Sequence, residues 1–202
     1  MAIKSYRHAL VLFALVTAVA GAQILNSERI EQTFGSYGID VAYSDATLRI
    51  SDLFSRDDGR KTTRTLAIVA FVAAIDPAFA AVHERVLDGG SIGATFQAAG
   101  WQVGKRNLEI RQTPLPKSFA AAMQLEPGTP LATHIYQLEI SKDGRTYPYA
   151  TIVEMHHPDY LTSTELAAIY SLVPAPALAD VVTALEVLLR GLAQLERMAP
   201  AD

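Results

Sequence analysis

The sequence has no cysteine among its 202 residues. This excludes disulfide bonds, thiolate chemistry and a lipid-modified cysteine anchor, so the hydrophobic core alone must hold the fold. Positive charge is also scarce, since 17 Lys and Arg stand against 21 Asp and Glu and the formal net charge is −4. A mildly acidic chain has no general electrostatic attraction for nucleic acid or anionic lipid, and we expect neither as a partner.

Motifs that would assign chemistry directly are missing as well. There is no G-x-S-x-G nucleophile elbow. The HERVL segment at His83 lacks the second His of H-E-x-x-H, and the glycine-rich residues 88–93 form neither a P-loop nor a dinucleotide fingerprint. On a strand, Glu154 and His156 would share a face while His157 points away, which leaves too few ligands for a closed metal site. We therefore expect no metal and no cofactor.

The N-terminus has the layout of a secretory signal peptide. Lys4 and Arg7 precede an apolar run at residues 9–19, and Ala-Gly-Ala at 20–22 offers small residues at the −3 and −1 positions of a cleavage site. The run is shorter than the roughly 20 apolar residues of a spanning helix, which favours cleavage over an uncleaved anchor, although both remain open. The sequence predicts a signal peptide over residues 1–22 and an exported, periplasmic or secreted protein, with no stable membrane insertion after cleavage.

Two pairs of strands are predicted around Asp-Gly turns. Runs of alternating apolar and polar residues flank Asp143-Gly144 within residues 133–161, and similar runs at 48–56 and 60–72 flank Asp58-Gly59. Asp-Gly between such runs is a strong hairpin signal, because Gly takes the positive φ of a tight turn. Shorter β patterns at residues 39–43 and 101–113 bring the total to about six strands. The fold class is α+β, an antiparallel sheet with helices on one side and no regular βαβ alternation.

Helices are predicted between and after these strands. Their starts are marked by Ser27, by Asp76-Pro77, by Ser91, by Lys117 and by a Thr162/Glu165 capping box. The last helix carries apolar residues at alternating spacings of three and four, namely Leu178, Val181, Leu185, Leu188, Leu192 and Leu195. This stripe favours packing onto the domain's own sheet, with a homodimer through residues 178–195 as the alternative. We assign residues 23–173 to the domain and 174–202 to the amphipathic helix.

Four segments, taken in order, resemble the chorismate lyase fold. They are the first helix with its Phe34-Gly35 end, the first hairpin with Arg64-Thr65 beyond its turn, GGSIGATF at 89–96, and the last hairpin at 140–161. The superfamily includes the enzyme that releases pyruvate from chorismate and the UTRA ligand-binding domains of bacterial regulators. The resemblance implies a pocket for an aromatic or carboxylate-bearing small molecule.

The resemblance also implies individual site residues. Glu154 occupies the place of the family's last-strand Glu, which touches the bound aromatic acid. Ile92, followed by Gly93, occupies the loop position that packs on the ring. A gapless match puts Ser51 at the position of the family's carboxylate-binding Arg, and Arg49 lies two residues earlier on the same strand face.

Glu154 and two arginines carry the functional interpretation. A carboxylate between Val153 and Met155 requires pairing or protonation, and a raised pKa would suit a general acid. Arg49 and Arg64 could clamp a ligand carboxylate bidentately, or could be sheet-surface charges or ion-pair partners of Glu154. The resemblance implies an exported protein of the chorismate lyase type that binds a small aromatic or carboxylate-bearing molecule. Whether it is an enzyme stays open; if it is, the resemblance implies a carbon-oxygen lyase that releases pyruvate from a chorismate-like substrate, with Glu154 as its catalytic residue. The alternatives are a non-catalytic binding module and an interaction protein that uses its C-terminal helix.

Overall fold

The computed structural model describes residues 24–174 and 176–198, so the predicted signal peptide lies outside the described residues. One six-stranded sheet has the order β1-β2-β3-β6-β5-β4, and every neighbouring pair is antiparallel. The strands are β1 (Gly38–Ser44), β2 (Leu48–Asp57), β3 (Arg60–Phe71), β4 (Gln102–Pro114), β5 (Pro130–Lys142) and β6 (Arg145–His156). The predicted α+β class and antiparallel sheet are confirmed.

Six helices accompany the sheet. They are α1 (Asn26–Phe34), α2 (Ala80–Leu87), α3 (Ile92–Ala98), α4 (Lys117–Met123), α5 (Ser163–Ile169) and α6 (Leu178–Met198). Within the described ranges, none of these helices is both long enough and apolar enough to cross a membrane.

The helices cover both faces of the sheet, which corrects the expectation that they lie on one side. Leu66, Ile68 and Val153 face a core completed by α4 and α6. Val69 and Phe71, on the other face of β3, belong to a core completed by α2 and α3. The reason is visible in β3, which is buried at ten consecutive positions from Thr62 to Phe71. A strand buried on both faces needs a layer of structure on each.

The two Asp-Gly turns connect β2 to β3 and β5 to β6. Asp58 and Gly59 have φ values of 50° and 80°, and Asp143 and Gly144 have values of 51° and 74°. Positive φ at both central residues matches the right-handed twist of the flanking strands and sets the register of each hairpin. β3 and β6 then pair at the centre of the sheet, with Ala67 opposite Glu154.

Helix α6 packs on the sheet through a stripe that is rotated from the predicted one. Its buried residues are Ala184, Val187, Leu188, Gly191 and Leu195, whereas the predicted Leu178 and Leu185 are exposed. Gly191 explains the rotation, because a Cβ at that position would lie 2.5 Å from side-chain carbons of Ile68. The glycine lets the helix backbone approach β3 closely, and α6 joins the core of the sheet.

Candidate functional site

A pocket of about 80 Å³ lies between the sheet and the segments that begin α1 and α3. The apolar side chains that line it are Leu25, Ile39, Leu53, Ala67, Val69, Ile92, Val103, Leu138 and Ile152. The polar ones are Asn26, Ser27, Tyr37, Arg49, Ser51, Ser91, Lys105, Tyr136 and Glu154. The pocket is thus an apolar chamber with a few polar groups, which is the usual composition of a small-molecule site.

Glu154 enters this pocket from the middle of β6 and is buried to 5% exposure. The Asn26 amide donates to its Oε1 at 3.2 Å and to the Thr65 hydroxyl at 3.2 Å. The Tyr160 hydroxyl donates to Asn26 Oδ1 at 2.6 Å and fixes the orientation of the amide. The first residue of α1 therefore holds one carboxylate oxygen, and the other faces Lys105.

Lys105, like Asn26, is a site residue that the sequence analysis missed. It reaches from β4 over the Tyr136 ring, and its Nζ lies 4.4 Å from that ring centroid and 3.6 Å from Glu154 Oε2. Its side chain is 7% exposed. Within residues 24–174 and 176–198, neither Lys105 Nζ nor Glu154 Oε2 has a hydrogen-bond partner. The pair is an ion pair whose facing atoms keep unused hydrogen-bonding capacity.

The environment of Glu154 favours its ionised form. Burial alone would raise the pKa of this carboxyl, but Lys105, His156 and His134 together offset burial and the pKa is lowered. The approach of the Tyr136 hydroxyl acts in the same direction. The raised pKa that would suit a general acid is therefore not found, because Lys105 and the other polar neighbours stabilise the charged form of Glu154.

Two buried histidines flank the ion pair. Burial, with the nearby Lys105 charge, lowers the pKa of His134 to about 3, and burial lowers that of His156 to about 4. His156 Nδ1 lies 3.0 Å from Thr65 Oγ1, and His134 Nε2 lies 3.0 Å from Asn107 Oδ1. Both imidazoles are neutral at pH 7, so Lys105 supplies the positive charge that faces Glu154.

Arg49 lines the pocket, but most of its guanidinium is engaged elsewhere. Nη1 donates to the carbonyls of Val86 and Gly90 at 2.7 and 2.8 Å, and Nε donates to Ser51 Oγ at 2.8 Å. Nη2 makes a longer contact of 3.4 Å with Gly89 O. These bonds tie β2 to the end of α2 and to the glycine-rich loop, so Arg49 builds the wall of the pocket.

The remaining predicted residues divide into two groups. Ser51, Ile92 and Gly93 line the same pocket as Glu154. Arg64 is absent from the lining within the described part of the chain. It donates to Ser55 Oγ and to Asp57 Oδ2, each at 2.8 Å, and its guanidinium stacks 3.8 Å from the Phe34 ring centroid. Arg64 thus joins the first hairpin to α1 and does not contact the pocket.

Comparisons with known proteins add little to this geometry. No family model matches the chain, and no curated protein matches it. A solved structure of a transcriptional regulator of the GntR family from Enterococcus faecalis V583 is similar with a TM-score of 0.37 and 10% sequence identity. That match covers 69% of this chain and 96% of the regulator. Among the described residues, no group of three or more His, Asp or Glu side chains is placed to hold a metal ion.

Proposed function

We propose that this chain is a small-molecule-binding domain of the chorismate lyase type, with its ligand in the pocket beneath α1. The observation that carries the proposal is the pair formed by Lys105 and Glu154, two buried charged groups that face the pocket with unused hydrogen-bonding capacity. Leaving such groups unsatisfied in the interior destabilises a fold, whereas a bound molecule compensates them.

The pocket restricts the ligand to a compact molecule. Its volume of about 80 Å³ is well below the roughly 300–1,000 Å³ of drug-sized sites. Apolar walls from Val69, Leu138 and Ile152 favour a hydrocarbon or aromatic skeleton. Polar atoms of the ligand belong at the end where Lys105 and Glu154 lie.

A thermal-shift screen of compact aromatic and alicyclic compounds tests the proposal, because a ligand that binds only the native state raises the unfolding midpoint. Ile92→Trp fills the pocket, and Ala94→Trp places the same ring on the exposed side of α3 as a control. We expect compounds that stabilise the unmodified protein and Ala94→Trp but not Ile92→Trp. The proposal fails if no compound stabilises the protein or if Ile92→Trp responds like the control.

The geometry supports binding better than a lyase reaction. A lyase that releases pyruvate from a chorismate-like substrate would use Glu154 against one end of the substrate and an arginine clamp at the other. Here the lowered pKa of Glu154 disfavours a general acid at neutral pH, and Arg49 is bonded to loop carbonyls. Incubation with chorismate, followed by pyruvate detection, separates the two functions. Turnover that disappears in Glu154→Gln would establish the enzyme.

Self-association through α6 is a second proposal, favoured by a stripe of exposed apolar residues on that helix. The stripe consists of Leu178, Val182, Leu185 and Leu189, which are 78%, 45%, 36% and 65% exposed. These residues repeat at spacings of four, three and four, as in a helix pair. If they form a homodimer, Leu185→Glu will produce a monomer by light scattering, whereas Thr183→Glu, on the polar side of the helix, will not. A monomeric unmodified protein would exclude the dimer.

Export remains a proposal that rests on the N-terminal sequence. Cleavage after Ala22 would leave Gln23 and Ile24 ahead of the pocket residue Leu25. The full chain expressed in a bacterium and recovered from the periplasm should give an intact mass that begins at Gln23. Recovery of the uncleaved chain from the cytoplasm would exclude an export signal.

A further inference from the structure

Lys105 and Glu154 define the chemistry of the group that the pocket can accept between them. The ammonium nitrogen and the carboxylate Oε2 are 3.6 Å apart, which is longer than a hydrogen bond. In the part of the chain that the structure describes, both atoms lack a hydrogen-bond partner. The nitrogen can only donate and the carboxylate oxygen can only accept.

Three kinds of polar group respond differently to this pair. A carboxylate can accept from Lys105, but it has no proton to give to Glu154 and its charge is repelled by that carboxylate. An ammonium can donate to Glu154, but Lys105 repels it. A hydroxyl accepts from Lys105 and donates to Glu154, and one oxygen about 2.8 Å from both atoms satisfies them together.

The other cation of the pocket does not change this preference. Arg49 is the group that could hold an anionic ligand, yet its Nη1 and Nε hydrogens are donated to Val86 O, Gly90 O and Ser51 Oγ. Engaging a carboxylate bidentately would require the guanidinium to release carbonyls of the glycine-rich loop. The Lys105–Glu154 ion pair, which carries no net charge, therefore determines which polar group of a ligand the pocket accepts.

We infer that the pocket selects a compact, neutral ligand whose hydroxyl group bridges Lys105 Nζ and Glu154 Oε2, and that it discriminates against the matching carboxylate. This inference rests on the proposed binding function and names the ligand class for the same pocket. The Tyr136 ring lies beneath the Lys105 ammonium, and its hydroxyl approaches Glu154 but forms no hydrogen bond with Oε2, so this oxygen stays open to a ligand.

The test compares matched probes by NMR titration of the 15N-labelled protein. Phenol and cyclohexanol carry the hydroxyl, benzoate and cyclohexanecarboxylate carry the acid on the same rings, and toluene carries neither. We expect the hydroxyl probes to bind at pocket residues at least about tenfold more tightly than the acids, because the bridge supplies two hydrogen bonds to charged groups. Lys105→Met and Glu154→Gln should each remove most of this advantage of the hydroxyl probes over the acids.

The outcomes separate the two proposals. If the acids bind in the pocket as tightly as the alcohols, or if Glu154→Gln strengthens the alcohols, the hydroxyl inference is overturned while the binding function stands. If none of the five probes shifts pocket resonances, both are overturned. The ranking of probes on the unmodified protein decides the question even if Lys105→Met fails to fold, which its own NMR spectrum will show.

Discussion

Lys105 Nζ lies 3.6 Å from Glu154 Oε2, and the two residues come from strands that are separated by β5. Lys105 is paired with Leu138 of β5, and Glu154 is paired with His134 of the same strand. The lysine side chain must therefore cross the face of β5 to reach the carboxylate of Glu154. Both charged groups lie between the packed core and the pocket, and each provides the counter-charge that the other needs in a buried position.

Removing one partner of this pair should destabilise the fold strongly. Lys105→Met leaves the Glu154 carboxylate buried without a counter-charge, which typically costs about 3–5 kcal/mol. We expect that loss in the free energy of unfolding measured with urea at pH 7. The double variant Lys105→Met with Glu154→Leu should recover most of it, because no buried charge remains.

Arg106→Met provides the matched control for this pair. Arg106 is the next residue of β4, and its salt bridge to Asp180 at 2.8 Å is partly exposed. Its replacement should cost about 1 kcal/mol or less. If Lys105→Met and Arg106→Met lowered the free energy of unfolding equally, the buried Lys105–Glu154 pair would be no more important for stability than the partly exposed Arg106–Asp180 pair.

The buried histidines predict that stability falls in acid. Because burial lowers the pKa values of His134 and His156 to about 3 and 4, the unfolded chain binds more protons than the folded one below about pH 6.5. Each histidine then adds a slope of up to about 1.4 kcal/mol per pH unit, so the free energy of unfolding decreases from pH 6.5 towards pH 4. Urea titrations at half-unit intervals measure this slope.

Amide replacements test which residues cause the acid sensitivity. Asn at position 156 can keep the contact of Nδ1 with Thr65, and Gln at position 134 can keep the contact of Nε2 with Asn107. The double variant His134→Gln with His156→Asn should flatten the profile between pH 6.5 and 4.5. An unchanged slope would mean that these imidazoles are already protonated in the folded protein.

Arg49 should stabilise the protein mainly through its hydrogen bonds to the glycine-rich loop, and its charge should contribute less. Arg49→Met leaves carbonyls of Val86, Gly89 and Gly90 without their donor, at roughly 1–3 kcal/mol for a buried group left unsatisfied. Arg49→Lys should recover only part of this loss, because an ammonium cannot reproduce the planar fork. Hydrogen exchange should increase in residues 88–93 in both variants.

The control for Arg49 is Arg85→Met, an exposed change on α2. Surface changes of this kind usually stay within about 0.5 kcal/mol. An equal increase of hydrogen exchange in residues 88–93 of Arg85→Met would contradict the conclusion that Arg49 holds this loop in place.

Gly191→Ala should destabilise the protein, although alanine usually favours a helix interior over glycine. The added Cβ would lie 2.5 Å from Ile68 side-chain carbons, and overpacking of this kind costs about 1–3 kcal/mol. Thermal unfolding should show the loss, and Ile68→Val in the same chain should return part of it. A gain in stability from Gly191→Ala alone would show that α6 is free to move away from β3.

The elements that were predicted well are those with local causes. The Asp58-Gly59 and Asp143-Gly144 turns depend on two residues each, and the capping box at Thr162 and Glu165 is also local. The start of α2 was predicted at Asp76-Pro77, yet the helix begins at Ala80. There the Asp76 carboxylate instead accepts from Ala78 N in a turn that places Phe79 in the aromatic core.

The site was predicted less completely, because its chemistry depends on long-range pairing. Glu154 stood out as a charge between apolar neighbours, and Ile92 stood out in a glycine-rich loop. Lys105 stands between Gly104 and Arg106 in a polar segment of β4, and a bulge between Asn107 and Glu109 shifts the register of that strand. Whether its ammonium or that of another cation reaches Glu154 is decided by pairing between strands that are distant in sequence.

Leu25 and Asn26 are pocket residues at the start of α1, where Leu25 is the N-cap and Asn26 is the first helical residue. A shortened chain that begins at Ser27 would keep every strand, and it would lose the amide that anchors Glu154 together with the leucine packed against Gly93. Such a protein could have a normal circular dichroism spectrum and still fail to bind. The start chosen for any recombinant version therefore determines whether a binding assay reports on the native pocket.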